Sequence, residues 1–504
     1  MKKAIVIGTG ASGLAATLEL ARKGIEVVAL ERARQLGGYL NPFSRKHFVF
    51  DPGVHYVGDC AEGAMTHDIL SGLGLDVEEL FCPMDPDGYD VFRFPGFELR
   101  VPAGCDAYAD RLIETFPEDR SEIERFFVLL RRFVKAVDGS PLSAFERFQS
   151  LTDQNPGTLS WTTMTFASLL RARIRNPKLR AVLAAQWGGS GVPPSQSSAA
   201  LSLGYIAHYL EGGYFPRGSS GRLRDVMVER ARTHGARFRR RAEVQTIRTR
   251  RGRIVGVTLA DGEELDADVV ISTIDPTLTY GSLLGLDQLP PALQRKVERT
   301  KPSFGCLSIF LGMRRDLRQF GLGACNVWDF PSWDVEAGSE RILAGEMPSP
   351  TAFVLSPNSL KDDTGSMAPE GCSTLEINTP APFELVRPWQ AQASLERGPG
   401  YETVKRAMAD PVLAAVHERW PNLVGDVLVE EVATPVTHAH YTNAVAGGIY
   451  GPLASIDQYG PYAFRIDSPI EGLYLAGSGV FGPGVACCLG SGWFAARRAC
   501  GNSR

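Results

Sequence analysis

The chain has 504 residues, with 57 acidic and 53 basic side chains and a formal net charge of −4 at pH 7. Its hydrophobic content of 44 % and charged content of 22 % are ordinary for a globular protein. These values exclude a disordered chain, a fibrous repeat and an integral membrane bundle. The near-neutral charge argues against a nucleic-acid-binding protein, since such domains carry a basic excess. The length predicts about three core-forming units.

The cysteines and the first residues bear on the cellular compartment. Nine cysteines lie between Cys60 and Cys500 without a CxxC pair, which argues against a disulfide framework or a metal site and suits a reducing compartment. The first residues enter a strand directly and leave no room for a signal peptide. No run reaches the roughly 18 apolar residues of a spanning helix. We therefore expect no metal and a cytoplasmic protein, with peripheral membrane contact as the alternative.

The start of the chain carries a complete βαβ pattern. The apolar run Ala4–Ile7 predicts a buried parallel strand, and a glycine-rich turn follows it at once. A helix is predicted over Leu14–Lys23, where Gly24 is a suitable left-handed stop. A second strand is predicted over Ile25–Leu30. The pattern as a whole is typical of a dinucleotide-binding unit.

Each glycine of the turn has a separate physical task. Gly8 permits the tight bend, Gly10 lets the backbone approach a pyrophosphate, and Gly13 lets the helix pack closely on the strand. The amides at the start of the helix bind the phosphate charge. Glu31 lies 18 residues after Gly13, near the expected position of the ribose-binding carboxylate.

Two further segments near the start resemble a known class of flavoprotein. Glu31-Arg32 and the doublet Gly37-Gly38 resemble the acid, basic residue and glycine pair of flavoproteins with two dinucleotide-binding domains. This group includes flavin amine oxidases, protoporphyrinogen oxidases and phytoene desaturases, which all use FAD. The segment Phe50–His55 resembles the stretch that runs beside the flavin ring in these enzymes. The resemblance implies that FAD is the cofactor.

The end of the chain supplies an independent match to the same group. Gly472–Ser478 reads as a short buried strand that ends at a glycine turn, and a helix is predicted over Ala486–Ala499. A helix that begins near Gly484 would point its amides at the flavin and stabilise the anionic reduced form. Cys487 and Cys488 lie in its first turn and are predicted to pack as small hydrophobic residues, with a redox pair as the alternative.

The middle of the chain contains a predicted meander. A helix over Leu223–His234 precedes strand-like runs at Ala242–Arg248 and Ile254–Leu259, joined by Gly-containing turns. Asp268–Thr273 resembles the strand that returns to the FAD sheet, and the resemblance implies that the backbone of Val244 meets the adenine. Arginines cluster in this region, and we interpret them as a solvated hairpin face because no aromatic residues are interleaved with them. They are Arg237, Arg239, Arg240, Arg241, Arg248, Arg250, Arg251 and Arg253.

These matches predict an α/β protein with two interleaved domains. A Rossmann-like FAD-binding domain of the two-dinucleotide-binding-domain class is assembled from residues 1–75, 216–285 and 430–504. Residues 76–215 and 286–429 form an α+β substrate domain. The Pro/Gly-rich stretch from Ser349 to Gly371 is interpreted as a loop too short to link independent modules.

One helix of the predicted substrate domain is amphipathic and basic. Its apolar positions recur at helical spacing, while arginines and a lysine occupy much of the remainder. We favour the interpretation that the apolar face closes the core of the domain, and the alternative is contact with a membrane surface. The apolar positions are Ile123, Phe126, Phe127, Leu130, Phe133, Val134 and Val137.

The last seventy residues narrow the choice of enzyme. Ala433–His438 and Gly447–Gly451 resemble the C-terminal region of carotenoid isomerases, phytoene desaturase-like enzymes and retinol saturases. The resemblance implies an FAD-dependent oxidoreductase or isomerase that acts on C=C bonds of a long apolar polyene, isoprenoid or unsaturated lipid. An amine oxidase or protoporphyrinogen oxidase is the alternative. A non-enzymatic prenyl-binding chaperone of the GDP-dissociation-inhibitor type is disfavoured because the fingerprint is intact. The sequence does not identify the molecule that donates electrons to the enzyme or accepts them from it.

Few side chains are expected to do acid–base chemistry. Hydride transfer to a polyene needs orientation and the exclusion of water more than a strong acid. His55, His438 and Tyr441 are predicted as candidates to deliver a proton, and Gln186–Gly189 as part of the substrate tunnel. The residues predicted to bind the cofactor are Gly8, Gly10, Ala11, Ser12, Gly13, Glu31, Arg32, Gly37, Gly38, Pro52, Gly53, Val54, His55, Val244, Thr273, Gly477, Ser478, Gly484 and Val485.

Overall fold

Two large β-sheets organise the chain, and the computed structural model describes residues 2–137, 156–349, 351–392 and 396–501. The strands are β1 (Lys3–Ile7), β2 (Glu26–Glu31), β3 (Phe43–Arg45), β4 (Phe48–Phe50), β5 (Phe81–Pro83), β6 (Asp90–Phe94), β7 (Phe97–Val101), β8 (Tyr214–Pro216), β9 (Arg237–Arg240), β10 (Val244–Arg250), β11 (Arg253–Leu259), β12 (Glu264–Asp266), β13 (Val269–Ser272), β14 (Gly305–Met313), β15 (Asn326–Asp329), β16 (Phe353–Ser356), β17 (Ser373–Ala381), β18 (Val427–Ala433) and β19 (Leu473–Leu475).

The helices surround these sheets. They span Ala11–Arg22, Met65–Gly72, Val77–Leu80, Cys105–Thr115, Arg120–Val137, Pro156–Thr163, Phe166–Arg173, Pro177–Ala184, Trp187–Ser190, Ala199–His208, Ser220–Thr233, Pro276–Leu278, Pro291–Arg299, Ser339–Leu343, Asn358–Lys361, Pro399–Arg419, Pro435–Thr442 and Val485–Ala499.

The first sheet has five parallel strands in the order β19-β13-β1-β2-β9. Its central strand β1 is buried from Ala4 to Ile7, and β13 is buried along its whole length, as expected for apolar runs covered on both faces. Because the strands are parallel, β1, β2, β13 and β19 all end at one edge. This arrangement confirms the prediction of an α/β fold with a Rossmann-like sheet.

The last helix of the chain covers the first. Val485–Ala499 packs against Ala11–Arg22 through small residues, and a Cβ added at Gly492 would lie 2.0 Å from the carbonyl oxygen of Ser12. The hydroxyl of Ser491 accepts a hydrogen bond from the amide of Gly477 at 2.8 Å. The two ends of the sequence therefore build one layer of the fold.

The second sheet has seven strands in the order β18-β14-β17-β16-β15-β6-β7. Neighbouring strands are antiparallel except for β15 and β6, which are parallel. Strand β16 lies in the interior of this sheet, where we predicted a loop between Ser349 and Gly371. The apolar residues Phe353 and Leu355 are buried there, but a run of four residues is too short for its alternation to stand out.

The strands of the two sheets follow the predicted division of the chain closely. All strands of the parallel sheet come from the three stretches assigned to the FAD domain. The strands of the seven-stranded sheet come from the other stretches, except that β18 crosses the predicted boundary at residue 430. The exact domain limits stay a prediction.

The amphipathic helix spans Arg120–Val137 and packs mainly inward. Its buried residues are Ile123, Phe126, Phe127, Leu129, Leu130 and Phe133. Val134 is 39 % exposed and so does not belong to the core face, and the side chain of Val137 lies outside the described residues. Peripheral membrane contact and a cytoplasmic location stay predictions. In the described part of the chain, no helix combines the length and apolar character needed to cross a bilayer.

The arginine-rich region forms the β10–β11 hairpin and its neighbours. Several of these arginines form ion pairs with acidic side chains of neighbouring strands and turns, which supports the interpretation of a solvated, ion-paired face. The pairs are Arg237–Glu26, Arg239–Glu263, Arg248–Glu264, Arg248–Asp266 and Arg253–Glu471.

Candidate active site

The glycine-rich turn leaves open space on one side and close contacts on the other. Gly8 has a φ of +92°, and a Cβ added at Gly13 would lie 2.0 Å from the Gly8 carbonyl oxygen. A Cβ added at Gly10 would meet nothing within 4 Å. Gly8 and Gly13 are therefore needed for the fold itself, whereas Gly10 faces the space that a pyrophosphate would enter. Ala11 and Ser12 begin the helix, as predicted.

Glu31 stands at the end of β2 and holds the turn in place. Its side chain is 9 % exposed and accepts hydrogen bonds from the Thr9 amide at 3.1 Å and the Thr9 hydroxyl at 2.6 Å. The Ala33 amide donates to its other oxygen at 2.9 Å. The sequence analysis did not predict the contact with Thr9. The ribose contact of Glu31 stays a prediction beside this structural role.

The glycine doublet lies directly against the turn. Gly38 has a φ of +55°, and a Cβ added there would lie 3.2 Å from the Cα of Gly10. Gly37 has a φ of +122°, and its amide donates to the Thr9 hydroxyl at 3.2 Å. Arg32 donates to the carbonyl oxygen of His440. The doublet thus brings a second backbone segment beside the predicted phosphate site.

The other predicted contacts also gather at the carboxyl ends of the parallel strands. Thr273 follows β13 and donates from its hydroxyl to the Ile7 carbonyl oxygen at 2.8 Å. Gly477 and Ser478 follow β19, and Val244 opens β10. Ligands of open parallel sheets bind outside this edge. The structure therefore brings these residues together, while the contact of each with FAD stays a prediction.

The segment that we predicted beside the flavin is anchored by Asp51. This carboxylate is fully buried and accepts hydrogen bonds from the backbone amide of Ser220, at 3.0 Å, and from its hydroxyl. It therefore caps the first turn of the helix Ser220–Thr233. Burial raises the pKa of Asp51 to about 7, against the opposing effect of the Ser220 hydrogen bond.

Asp51→Asn is expected to change the pH dependence of stability. A carboxyl whose pKa rises from 3.8 to about 7 on folding stabilises the native state below pH 3.8, and this contribution is lost as the pH rises towards 7. The variant lacks this loss, so its free energy of unfolding relative to the wild type should increase from pH 4 to pH 7. Urea titrations at both pH values measure the difference, and a difference that does not change with pH would contradict the assignment.

The last helix begins at the other side of the site without a side-chain cap. Gly484 is its N-cap, with a φ of +100°, and a Cβ added there would meet nothing within 4 Å. The amides of the first turn are therefore free to face an anionic group. Burial raises the pKa of Cys487 to about 12 and that of Cys488 to about 11. Both thiols stay protonated, which favours packing over a redox pair.

A cavity of about 830 Å³ extends from this helix into the seven-stranded sheet. Among the predicted residues, Pro52, Gly53, His55, His438, Gly484, Val485, Trp187, Gly188 and Gly189 line it. Val54 is buried but does not line the cavity. Tyr441 does not line it either, because its side chain is 56 % exposed, so the geometry gives no support to Tyr441 as a proton donor.

His55 has a polar partner on each side of its ring. Its Nδ1 lies 3.3 Å from a carboxylate oxygen of the buried Glu376. Its Nε2 lies 3.4 Å from the amide nitrogen of Asn378, whose oxygen already accepts from Ser308 at 2.6 Å. Neither Nδ1 nor that carboxylate oxygen has a hydrogen-bond partner in the described structure, so this contact is electrostatic, whereas Nε2 faces the Asn378 amide.

His438 lines the cavity as a neutral ring. Its side chain is 5 % exposed, and burial lowers its pKa to about 4. Its Nδ1 lies 3.4 Å from the Tyr39 hydroxyl, while its buried Nε2 has no hydrogen-bond partner within the described structure. An unpartnered buried nitrogen indicates that a bound group completes the site.

Sequence analysis missed a buried polar row that crosses four adjacent strands. It consists of Glu376, Ser356, Asn326 and Asp90, on β17, β16, β15 and β6, and all four are fully buried. The Ser356 hydroxyl donates to the Asn326 amide oxygen at 2.7 Å, and the Asn326 amide nitrogen donates to Asp90 at 3.3 Å. Isolated polar residues among apolar neighbours were the available signal.

The ammonium of Lys361 sits on this row. Its three N–H donors are shared among four oxygens within hydrogen-bond distance: the carbonyl oxygen of His55 at 3.0 Å, and side-chain oxygens of Asn326 at 2.6 Å, Asn358 at 2.9 Å and Ser356 at 3.3 Å. Burial lowers its pKa to about 7, although nearby carboxyl groups raise it. Lys361 thus connects the buried polar row to the segment that carries His55.

The features on both sides of the site fit FAD. The phosphates and the ring of the cofactor need open space and free hydrogen-bonding groups. The structure provides open space at Gly10 and Gly484, uncapped helix amides, and the unpartnered nitrogen of His438. Among the residues that the structure describes, no group of three His, Cys, Asp or Glu side chains is arranged to hold a metal ion.

Known proteins resemble the chain over nearly its whole length. All-trans-retinol 13,14-reductase from Homo sapiens is 28 % identical over 96 % of this chain and 83 % of the relative. Chloroplastic prolycopene isomerase from Daucus carota is 26 % identical over 98 % of this chain and 79 % of the relative.

Solved structures share the fold at lower sequence identity. An oxidoreductase from Methanosarcina mazei superposes with a TM-score of 0.68 at 15 % identity, over 98 % of this chain and 100 % of the other. A triple mutant of putrescine oxidase superposes with a TM-score of 0.69 at 15 % identity, over 100 % and 99 %. The family model for flavin containing amine oxidoreductases matches residues 11–344, which are 334 of the 504 residues. The chain therefore belongs to the flavin-containing amine oxidoreductase family, and its cofactor is FAD.

Proposed function

We propose that this flavoenzyme acts on C=C bonds of a hydrophobic polyene, isoprenoid or unsaturated lipid by saturation, desaturation or isomerisation. Both the retinol reductase and the prolycopene isomerase match the chain almost from end to end. The names of these two relatives describe chemistry on conjugated double bonds. The two relatives therefore support a polyene substrate more directly than the solved structures do, because the solved structures share only the fold.

The cavity is the observation that carries the proposal. Its volume of about 830 Å³ lies in the range of sites that enclose a whole small molecule. No lysine or arginine is found among the described residues that line it. The aromatic side chains on its walls are Tyr39, Tyr56, Phe133, Trp187, Tyr205, Tyr209, Phe304, Trp328, Tyr450, Tyr459 and Phe481. Such walls suit a long apolar chain that must be held in one orientation.

The residues of the chain would orient the substrate and exclude water. Bound FAD supplies the hydride acceptor or donor in enzymes of this family. The free amides after Gly484 would stabilise negative charge on the reduced cofactor, and Pro52 and Gly53 would lie along the cofactor's edge. The wall formed by Trp187, Phe304 and Trp328 would keep solvent from the reacting bond.

The proposal predicts a change in product mass with polyenes. Holoenzyme, oxidised and reduced, would be incubated without oxygen with all-trans-retinol, prolycopene, an unsaturated fatty acid and putrescine. We expect a polyene product that has gained two hydrogens, lost two, or kept its mass with altered double-bond geometry. Mass spectrometry and chromatography distinguish these outcomes. Turnover of putrescine with release of hydrogen peroxide, and none of the polyenes, would instead establish the amine oxidase alternative.

A further inference from the structure

Asp90 is a buried carboxylate surrounded by neutral hydrogen-bond donors. It is fully shielded from solvent and lies at the end of the buried polar row. Its Oδ2 accepts from the Gln186 amide at 2.7 Å and from the Tyr56 hydroxyl at 3.0 Å. Its Oδ1 accepts from the Trp328 indole at 2.9 Å and from the Asn326 amide at 3.3 Å. These four donors fill the acceptor positions of an ionised carboxylate, so the site can hold Asp90 in its charged form although it is buried.

No cation touches Asp90 within the part of the chain that the structure describes. Lys361 reaches it only through Asn326, whose oxygen accepts from the ammonium at 2.6 Å. Burial raises the pKa of Asp90 to about 6, against the four hydrogen bonds that favour the ionised form. The carboxyl therefore exchanges a proton close to neutral pH.

Tyr56 connects this carboxyl to the cavity. Its side chain lines the cavity, and its ring stacks on Tyr209 with 4.2 Å between the centroids, which fixes the position of the hydroxyl. The hydroxyl donates to Asp90 when Asp90 is ionised. When Asp90 holds a proton, the hydrogen bond reverses and the Tyr56 proton can turn towards the cavity, where the Tyr205 hydroxyl is its other hydrogen-bond neighbour.

The histidines are less suited to this task. The Nε2 of His55 lies 3.4 Å from the Asn378 amide nitrogen, so this edge of the ring is already occupied by a protein group. His438 is neutral because burial lowers its pKa to about 4, so its ring is not an acid near neutral pH. Tyr56, in contrast, lines the cavity and has a hydrogen bond from its hydroxyl to Asp90, a carboxyl that can hold a proton.

We propose that Tyr56 is the catalytic proton donor and acceptor for the C=C chemistry, and that Asp90 is the positioning residue that supplies and recovers its proton. The proposal rests on the proposed function and deepens it. In saturation, the π electron pair would form a C–H bond to the Tyr56 proton at one carbon, and reduced FAD would supply the hydride for the other carbon. The Asp90 proton would return to the Tyr56 oxygen, and after the product leaves, a proton from water in the cavity would reach the buried Asp90 through Tyr56. Desaturation runs the same steps in reverse.

The pH dependence follows from the groups that face Asp90. The surrounding tyrosines keep their protons because burial raises their pKa values above the usual range, and Lys361 acts only through Asn326. These tyrosines are Tyr56, Tyr89, Tyr108, Tyr205 and Tyr209. Saturation should therefore slow as the pH rises above about 6 and Asp90 ionises.

The test compares Tyr56→Phe and Asp90→Asn with the wild-type holoenzyme. Chemically reduced protein is mixed without oxygen with all-trans-retinol in H₂O and in D₂O, and product formation is followed over a range of pH. Tyr56→Phe should lower kcat by about 100-fold or more, with little change in KM. Asp90→Asn should also lower kcat and should remove the fall in rate above pH 6. Tyr108→Phe is the control, since Tyr108 is buried in the same core but does not line the cavity.

Each outcome bears on the proposal. Wild-type rates in Tyr56→Phe, or an unchanged pH profile in Asp90→Asn, would overturn it, as would a loss confined to His55→Gln. A wild-type holoenzyme that converts no polyene would refute the proposed function instead. Infrared spectra then test the buried proton independently of turnover. The buried Asp51 also holds a proton below pH 7, so the spectrum of Asp90→Asn is subtracted from that of the wild type to cancel its band. The difference spectrum should contain a protonated-carboxyl band that disappears as the pH rises through about 6, and a difference spectrum without such a band would contradict the role of Asp90 as proton source.

Discussion

Replacing Gly10 by valine is expected to give a folded protein that no longer binds FAD. A Cβ at this position would meet nothing within 4 Å, and the backbone of Gly10, with a φ of −64°, is accessible to any residue. The added side chain would occupy the space through which the pyrophosphate approaches the helix amides. The variant should be colourless after purification, while its far-ultraviolet circular dichroism should match that of the wild type.

Gly13→Ala is the matched control and should behave in the opposite way. Its Cβ would lie 2.0 Å from the Gly8 carbonyl oxygen, so the strand and the helix would have to separate. We expect a large loss of stability even when FAD is supplied in excess. A yellow, stable Gly10→Val protein, or a Gly13→Ala protein as stable as the wild type, would contradict the assigned roles of the two glycines.

Lys361→Met should lower the free energy of unfolding by about 3 kcal/mol or more near pH 7.5. Methionine can fill the space of the lysine stem, but the four oxygen acceptors of the ammonium lose their donor. Because burial lowers the pKa of Lys361 to about 7, the amine is charged in only part of the population at pH 7.5, and the variant also removes that partial compensation of the buried carboxylates. The loss should be smaller at pH 5, because Asp51 and Asp90, with pKa values raised to about 7 and 6, then hold protons.

Urea denaturation of the holoenzyme at both pH values measures this effect. Lys23→Met is the control, because Lys23 lies at the surface and its nitrogen is 3.9 Å from the carboxylate of Glu19. Lys23 is itself exposed and Arg22 also lies 3.6 Å from the same carboxylate, so the loss of Lys23 should cost well under about 1 kcal/mol. Equal stability of the Lys361 and Lys23 variants at pH 7.5 would show that the buried ammonium does not hold the polar row together.

The cofactor half of the molecule was largely predictable from sequence. Gly8, Gly10 and Gly13 sit on a short continuous segment, where strand, turn and helix must follow one another at fixed spacing. The last helix was predictable for the same reason, since Gly484 and the small residues after it act locally. Structural constraints between residues close together in the chain produce recognisable patterns in the sequence. The resemblance of these patterns to known flavoproteins identified FAD as the cofactor.

The substrate half was much less predictable. Asp90, Asn326, Lys361 and Glu376 come from distant parts of the chain, and only the pairing of β6, β15, β16 and β17 brings them together. Each one taken alone looks like an ordinary polar residue. The predictions for His55 and His438 identified side chains that line the cavity, but their hydrogen bonds and burial, which decide where a proton sits, have no signature in the sequence.

The packing of the last helix on the first has a consequence for how the protein is made. The apolar surface of Ala11–Arg22 is completed by Val485–Ala499, and β13 gains its outer neighbour only when Leu473–Leu475 is present. While the chain grows on the ribosome, Ala11–Arg22 therefore stays partly uncovered until Val485–Ala499 has emerged. In this interval the nascent chain exposes an apolar surface of the kind that general chaperones bind.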